Sequence, residues 1–222
     1  NNYLHADSGK MPDRVEVACA SLAPGADMKG VKPFPKDLRA SHGFDNQANQ
    51  LTLSPLLLDS FLRLAVSILE SPDFNERSVG IWNDFFREPP EGSDVAAEIK
   101  KRLQPFLRQA FRGPLDEDVL NRYVAYAKAK VEQGQSFTES MKKVTSAALS
   151  SPLFLFRYAA ENDADAEFAL ASKLSFFLWA SGPDAELLRL AESGELSRPE
   201  TLTKTMERML ADPKIERFLD TF

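Results

Sequence analysis

From Ser54 onward, apolar side chains recur at the three- and four-residue spacing of a helix face, with Ser, Asp, Gly and Pro between the runs. Ser54-Pro55 reads as an N-cap followed by Pro at the first helical position. The run behind it puts Leu57, Phe61, Leu64, Ala65 and Ile68 on one face and stops at Ser71-Pro72. Residues 73–86 fit a short helix or a turn presenting Ile81, Trp82 and Phe85. After Pro89-Pro90, Ser93 is expected to cap a long helix to Arg112, with Ile99, Leu103, Phe106, Leu107, Ala110 and Phe111 as its stripe. Pro105 removes a backbone donor within it and is expected to kink it.

The later boundaries are sharper. Asp116 can cap a helix that turns Val119, Leu120, Tyr123, Val124 and Ala127 inward and ends at Gly134. Ser136-Phe137-Thr138-Glu139 has the form of a capping box for a helix through Leu149. Ser151-Pro152 interrupts, and the apolar "LFLFRY" (Leu153–Tyr158) adds a turn or two. Another helix opens near Asp163 to Asp165 and runs to Trp179, with a stop at Gly182-Pro183. Asp184 to Glu192 form a short helix closed by Gly194. Ser197-Arg198-Pro199-Glu200 resembles a second capping box for a helix to Leu210, and Asp212-Pro213 begins a last one.

These signals predict an all-α chain, an irregular multi-helix bundle of about eight helices. Its first helical subdomain would cover residues 54–160 and its second 161–222, truncated at its C-terminal end. Residues 1–53 break the pattern with Pro12, Pro24, Pro33, Pro35 and four glycines. They read as an extended, Pro/Gly-rich arm, with "RVEVACASL" (Arg14–Leu22) as a short strand. Around Lys173, Leu170, Leu174, Phe177 and Leu178 fall on one side of a helical wheel and Phe168, Phe176 and Trp179 on the other. A helix apolar nearly all round is expected to be central and buried.

Composition narrows the function classes. The net charge of −6, with no basic run beyond Lys100-Lys101-Arg102, argues against nucleic-acid binding. Cys19 is the only cysteine and His5 and His42 the only histidines. That set excludes an internal disulfide, a paired-cysteine zinc site and covalent haem attachment through C-x-x-C-H. No window approaches the ~18 apolar residues that a bilayer span needs. The polar start "NNYLHADSGKMPDRVEV" reads as a processed chain or fragment without a signal peptide.

Candidate chemistry is sparse, and no catalytic motif is present. Ser41, His42 and Asp45 share one loop, whereas a catalytic triad draws on separate elements. Asp45, Asn46, Gln47 and Asn49 gather oxygen donors of the kind that hard cations take, though an Asx-type turn needs the same residues. The carboxylates at Asp116 to Asp118 and at Asp163 and Asp165 stand at helix starts, where capping accounts for them. Arg157, set among Leu153 to Phe156 and Tyr158, is expected to be partly buried and needs an acidic partner or an anionic ligand. Arg157, His42, Asp45, Asn46 and Asn49 are therefore the candidate ligand-binding residues, with no catalytic and no metal site assigned.

Five stretches carry a resemblance: "GFDNQANQLTLSPLLLDSFLRLA", "FLRQAFRGPLDEDVLNRYVAYAKA", "ALSSPLFLFRYA", "ALASKLSFFLWASGPDAELLRLAESGEL" and "LTKTMERMLADPKIERFLDTF". In this order, over about residues 43–222, they resemble the helical domains of unknown function of large secreted planctomycete and verrucomicrobial proteins, often fused to c-type cytochrome modules. The resemblance implies a piece of a longer, periplasmic or extracellular protein, with no cofactor in this chain and haem in absent domains. It implies a non-catalytic scaffold or interaction module whose partners are other domains of the same polypeptide or a redox partner protein. Two further readings stand beside it. One is part of an extracytoplasmic oxidoreductase acting on carbohydrate-like substrates, its active site shared with absent domains. The other is a small-ligand or ion-binding module using Arg157 and the Asp45–Asn49 loop.

Overall fold

The computed structural model describes residues 54–156 and 163–219, apart from the side chains of 163–165. The N-terminal arm with its expected strand, and Arg157, lie outside the described residues. Within them the chain is all-α, without a strand. In order come α1 (Pro55–Leu69), α2 (Trp82–Phe85), α3 (Val95–Phe111), α4 (Glu117–Glu132) and α5 (Phe137–Leu149). There follow α6 (Pro152–Leu155), α7 (Asp163–Trp179), α8 (Ala185–Glu192), α9 (Pro199–Ala211) and, after a 3-10 turn at Pro213–Ile215, α10 (Glu216–Leu219).

Local chemistry sets most boundaries. The Ser54 hydroxyl accepts from the Leu57 N–H, with Pro55 at the first helical position. Gly134, at φ +87°, closes α4 as the left-handed residue that a helix end favours. The capping box of α5 forms as expected. The Ser136 hydroxyl accepts from the Glu139 N–H, and the Glu139 carboxylate accepts from the Ser136 N–H. The Asp184 carboxylate caps α8 at the Leu187 N–H, and Gly194 turns at φ +67° beyond it.

Two boundaries differ from the sequence reading, at α3 and α9. α3 begins at Val95, two residues after Ser93, and is continuous through Pro105. Pro105 is exposed, on the side away from Ile99, Leu103, Leu107 and Phe111, so water can reach the carbonyl left without its donor. α7 ends at Trp179 as expected, and Ala180 behind it is left-handed (φ 49°). The second capping box does not form: Arg198 is the N-cap of α9 and makes no side-chain cap bond. The neighbouring Ser197 N–H instead donates to the Glu167 carboxylate at 3.2 Å.

The described residues fall into two units, one within Asn1–Val95 and Tyr126–Ser151, the other within Ala96–Ala125 and Pro152–Phe222. The first packs α1 against α5. Its interior holds Leu69, Phe74, Phe85, Phe86, Phe137, Met141 and Val144. The Thr138 hydroxyl donates to the Phe86 carbonyl at 2.7 Å, tying the end of α2 to the start of α5. The second unit is centred on α7 and α8, with Phe168, Leu178, Trp179, Leu187, Leu188, Leu196 and Met209 in one apolar cluster. Each such side chain contributes about 1.5–3 kcal/mol when fully buried.

Candidate functional site

The sequence-derived ligand residues His42, Asp45, Asn46 and Asn49 lie, like Arg157, outside the described residues. Among the described residues no group of three or more His, Cys, Asp or Glu is placed to hold a metal ion. The feature that stands out is α7, which buries three polar side chains beside Phe168, Ala171, Leu178 and Trp179 and leaves one phenyl ring outside. Glu167, Ser172 and Ser175 are buried, while Phe177 is 60% exposed. The helix is central to its unit as expected, but it is not buried all round.

The polar groups on the inner side are satisfied where they sit. The Ser175 hydroxyl donates to the Ser172 carbonyl at 3.1 Å within the helix itself, so it needs no outside partner. Glu167 accepts the Ser197 N–H and so fastens the loop between α8 and α9 to α7. At the other end Trp179 is fully buried, and its indole N–H donates to the Met209 carbonyl at 3.0 Å. Lys214 Nζ lies 4.3 Å from the centroid of its ring and Arg208 Cζ 5.5 Å, both within cation–π range. Arg208 also pairs with Asp184 at 2.6 Å, and Arg217 donates to the Trp179 carbonyl at 3.2 Å. Partial burial would by itself raise the Asp184 carboxyl. The hydrogen bonds from Arg208 and the Leu187 N–H, with the charges of Arg208 and Lys214, outweigh it and hold that carboxyl below its ordinary value.

What is left for the outer side is small, aromatic and singly charged. Ala166, Lys173, Phe177 and Ala180 are exposed there, with Ala169 and Phe176 half-exposed. Lys173, Leu174, Phe176 and Phe177 line a shallow, open groove. Phe177 meets Phe218 of α10 edge to face, with ring centroids 5.1 Å apart. Lys173 makes no ion pair with any described residue.

Behind the groove stands an arginine that sequence reasoning passed over. Arg112, just past α3, adopts a left-handed backbone at φ 55°. Its guanidinium donates to the carbonyls of Ala110 (3.0 Å), Phe154 (2.5 Å) and Phe156 (3.1 Å). It also lies 5.5 Å from the centroid of the Phe154 ring and 5.9 Å from that of Phe176. Three carbonyls satisfy much of a five-donor fork, so Arg112 works as a clip joining α3, α6 and α7. The signal for it was an arginine directly before Gly113-Pro114, where a helix has just ended.

The first unit holds a second cation–aromatic group. Lys142 Nζ sits 5.3 Å from the ring centroids of both Phe74 and Trp82 and donates to the Phe74 carbonyl at 3.1 Å. Burial lowers the Lys142 amine below its ordinary value, against the opposing pull of Glu70 and Glu139. Two ring faces and a carbonyl hold the ammonium ion and tie α5 to the segment before α2.

Three segments match family models in chain order. Residues 24–71 match PSD3, protein of unknown function (DUF1587), residues 98–158 match PSD5, protein of unknown function (DUF1595), and residues 166–222 match PSD4, protein of unknown function (DUF1592). The first match begins at residue 24, ahead of the stretch from residue 43 on which the resemblance was drawn. The α7 groove lies wholly within the third. No curated protein and no solved structure matches the chain. Among the described residues no helix is long and apolar enough to cross a membrane.

Proposed function

We propose that this chain is a non-catalytic helical interaction module of a secreted, cytochrome-linked multidomain protein, and that the outer face of α7 is its contact surface for a haem-bearing module. The observation that carries the reading is Phe177, 60% exposed beside Phe218 on a helix that buries Glu167, Ser172 and Ser175. A single exposed apolar side chain is ordinary on any protein surface. An aromatic pair bordering an apolar groove is the pattern of a binding surface, and aromatic anchors dominate interface energetics. The three consecutive matches to domains of unknown function support the family side of the reading. The redox side rests on the sequence resemblance alone.

With Cys19 as its only cysteine, the chain cannot supply the two thioether links of C-x-x-C-H, so in this reading a haem attached in that way is carried by the partner. The periplasm or the cell exterior as its compartment rests on the same resemblance. The test is a calorimetric titration of the chain with the haem module of the same polypeptide. Saturable binding, weakened at least ~10-fold by Phe177→Ala, is the expected result. A haem module that binds neither form, or both equally, overturns the reading.

A further inference from the structure

The outer face of α7 also carries information about the shape and charge of what it binds. At 100° per residue, Ala166, Ala169, Lys173, Phe176 and Phe177 fall within an arc of about 100°, the width of a helix-packing stripe. From Ala166 to Ala180 the stripe is about 20 Å long, matching a partner helix of about 14 residues. Ala166 and Ala169 let a backbone come close, and at the other end Phe177 is exposed beside Phe218 while Phe176 is half-exposed against Arg112. Within the stripe the one charge is Lys173, near its middle, exposed and without an ion pair among the described residues.

That position discriminates between occupants. A second copy pairing along the whole stripe, parallel or antiparallel, would set one Lys173 against the other, with both ammonium ions leaving water. A membrane surface is poorly served by a single lysine, because interfacial helices carry several basic residues beside their apolar face. A helix from a different module, apolar along one side with a carboxylate near its middle, satisfies both the groove and the charge. We infer that the α7 face takes an amphipathic helix that places an Asp or Glu opposite Lys173. This rests on the reading of α7 as the contact surface and adds the chemistry of the partner.

The test uses the full chain and two synthetic peptides of about 14 residues. Both are stapled as helices with a Leu/Ala apolar side, and they differ only in a central Glu or Lys. Fluorescence anisotropy is expected to show the Glu peptide binding at least ~10-fold more tightly than the Lys peptide. Lys173→Glu should reverse that order, and Phe177→Ala should weaken both, with circular dichroism unchanged in each variant. Equal affinity for the two peptides, an order unmoved by Lys173→Glu, or no binding of either overturns the inference. So does a concentration-dependent dimer in sedimentation equilibrium that Phe177→Ala abolishes, since the occupant would then be a second copy. So does binding to vesicles that Phe177→Ala abolishes. The haem-module titration separates the two proposals. Binding there without peptide discrimination removes only the helix and its carboxylate, whereas peptide discrimination without haem-module binding removes only the redox partner.

Discussion

Phe177 and Trp179 are two residues apart and have opposite fates, one 60% and the other 0% exposed. Trp179→Ala would remove a buried ring, a hydrogen bond to Met209 and the platform for Lys214 and Arg208. A loss of about 3–5 kcal/mol in urea unfolding is expected. Phe177→Ser should change the same measurement by less than about 1 kcal/mol, because its ring is largely in water already. A large loss at Phe177 would mean that the face is covered. Asp184 supplies a pH dependence at this scale. Its folded carboxyl is lowered from the ordinary 3.8, so its contribution is fully present above that value and lost as pH falls through the folded value. Acid unfolding below about pH 4 should therefore be steeper in the wild type than in Asp184→Asn, followed by ellipticity. Curves that stay parallel there would show that the Arg208 pair contributes nothing.

At the scale of single elements, caps and turns add smaller contributions that depend little on side-chain packing. Gly134 sits at φ +87° with nothing within 4 Å of where a Cβ would be. Gly134→Ala should cost about 1 kcal/mol from backbone conformation alone. Gly80 has the same open space and no left-handed backbone, so Gly80→Ala should be neutral or stabilising by up to about 1 kcal/mol. Thermal unfolding of the two variants side by side checks the contrast, and equal effects would refute it. Ser136→Ala removes one half of the α5 capping box and should cost about 1 kcal/mol. No such loss is expected at Ser197, whose hydroxyl does not cap α9.

For the whole molecule, the all-α class and nearly every helix were legible in the residues. The Ser54, Ser136, Gly134, Asp184 and Gly194 signals all mark boundaries that the fold uses. The candidate site was not legible. Ligand residues were sought among polar and charged side chains, whereas the surface that stands out is apolar and has one lysine. The haem-free character proposed for this chain makes a prediction at this scale. Purified chain mixed with haem and then gel-filtered should show no retained Soret absorption, and a retained band would return the cofactor to this chain.

The division between sequence and tertiary structure runs along the range of the forces involved. Caps, prolines and left-handed glycines act within about one turn, so the sequence by itself determined where most helices start and stop. It also determined that the chain lacks the thiols for covalent haem. Which side of α7 faces the core was decided only in three dimensions. Its side chains are apolar nearly all round, so periodicity favoured no face. The side that went inward carries Phe168, Ala171, Leu178 and Trp179. The bonds of Glu167 to the Ser197 N–H and of Trp179 to the Met209 carbonyl offset the cost of burying polar groups with them, and Phe177 was left outside.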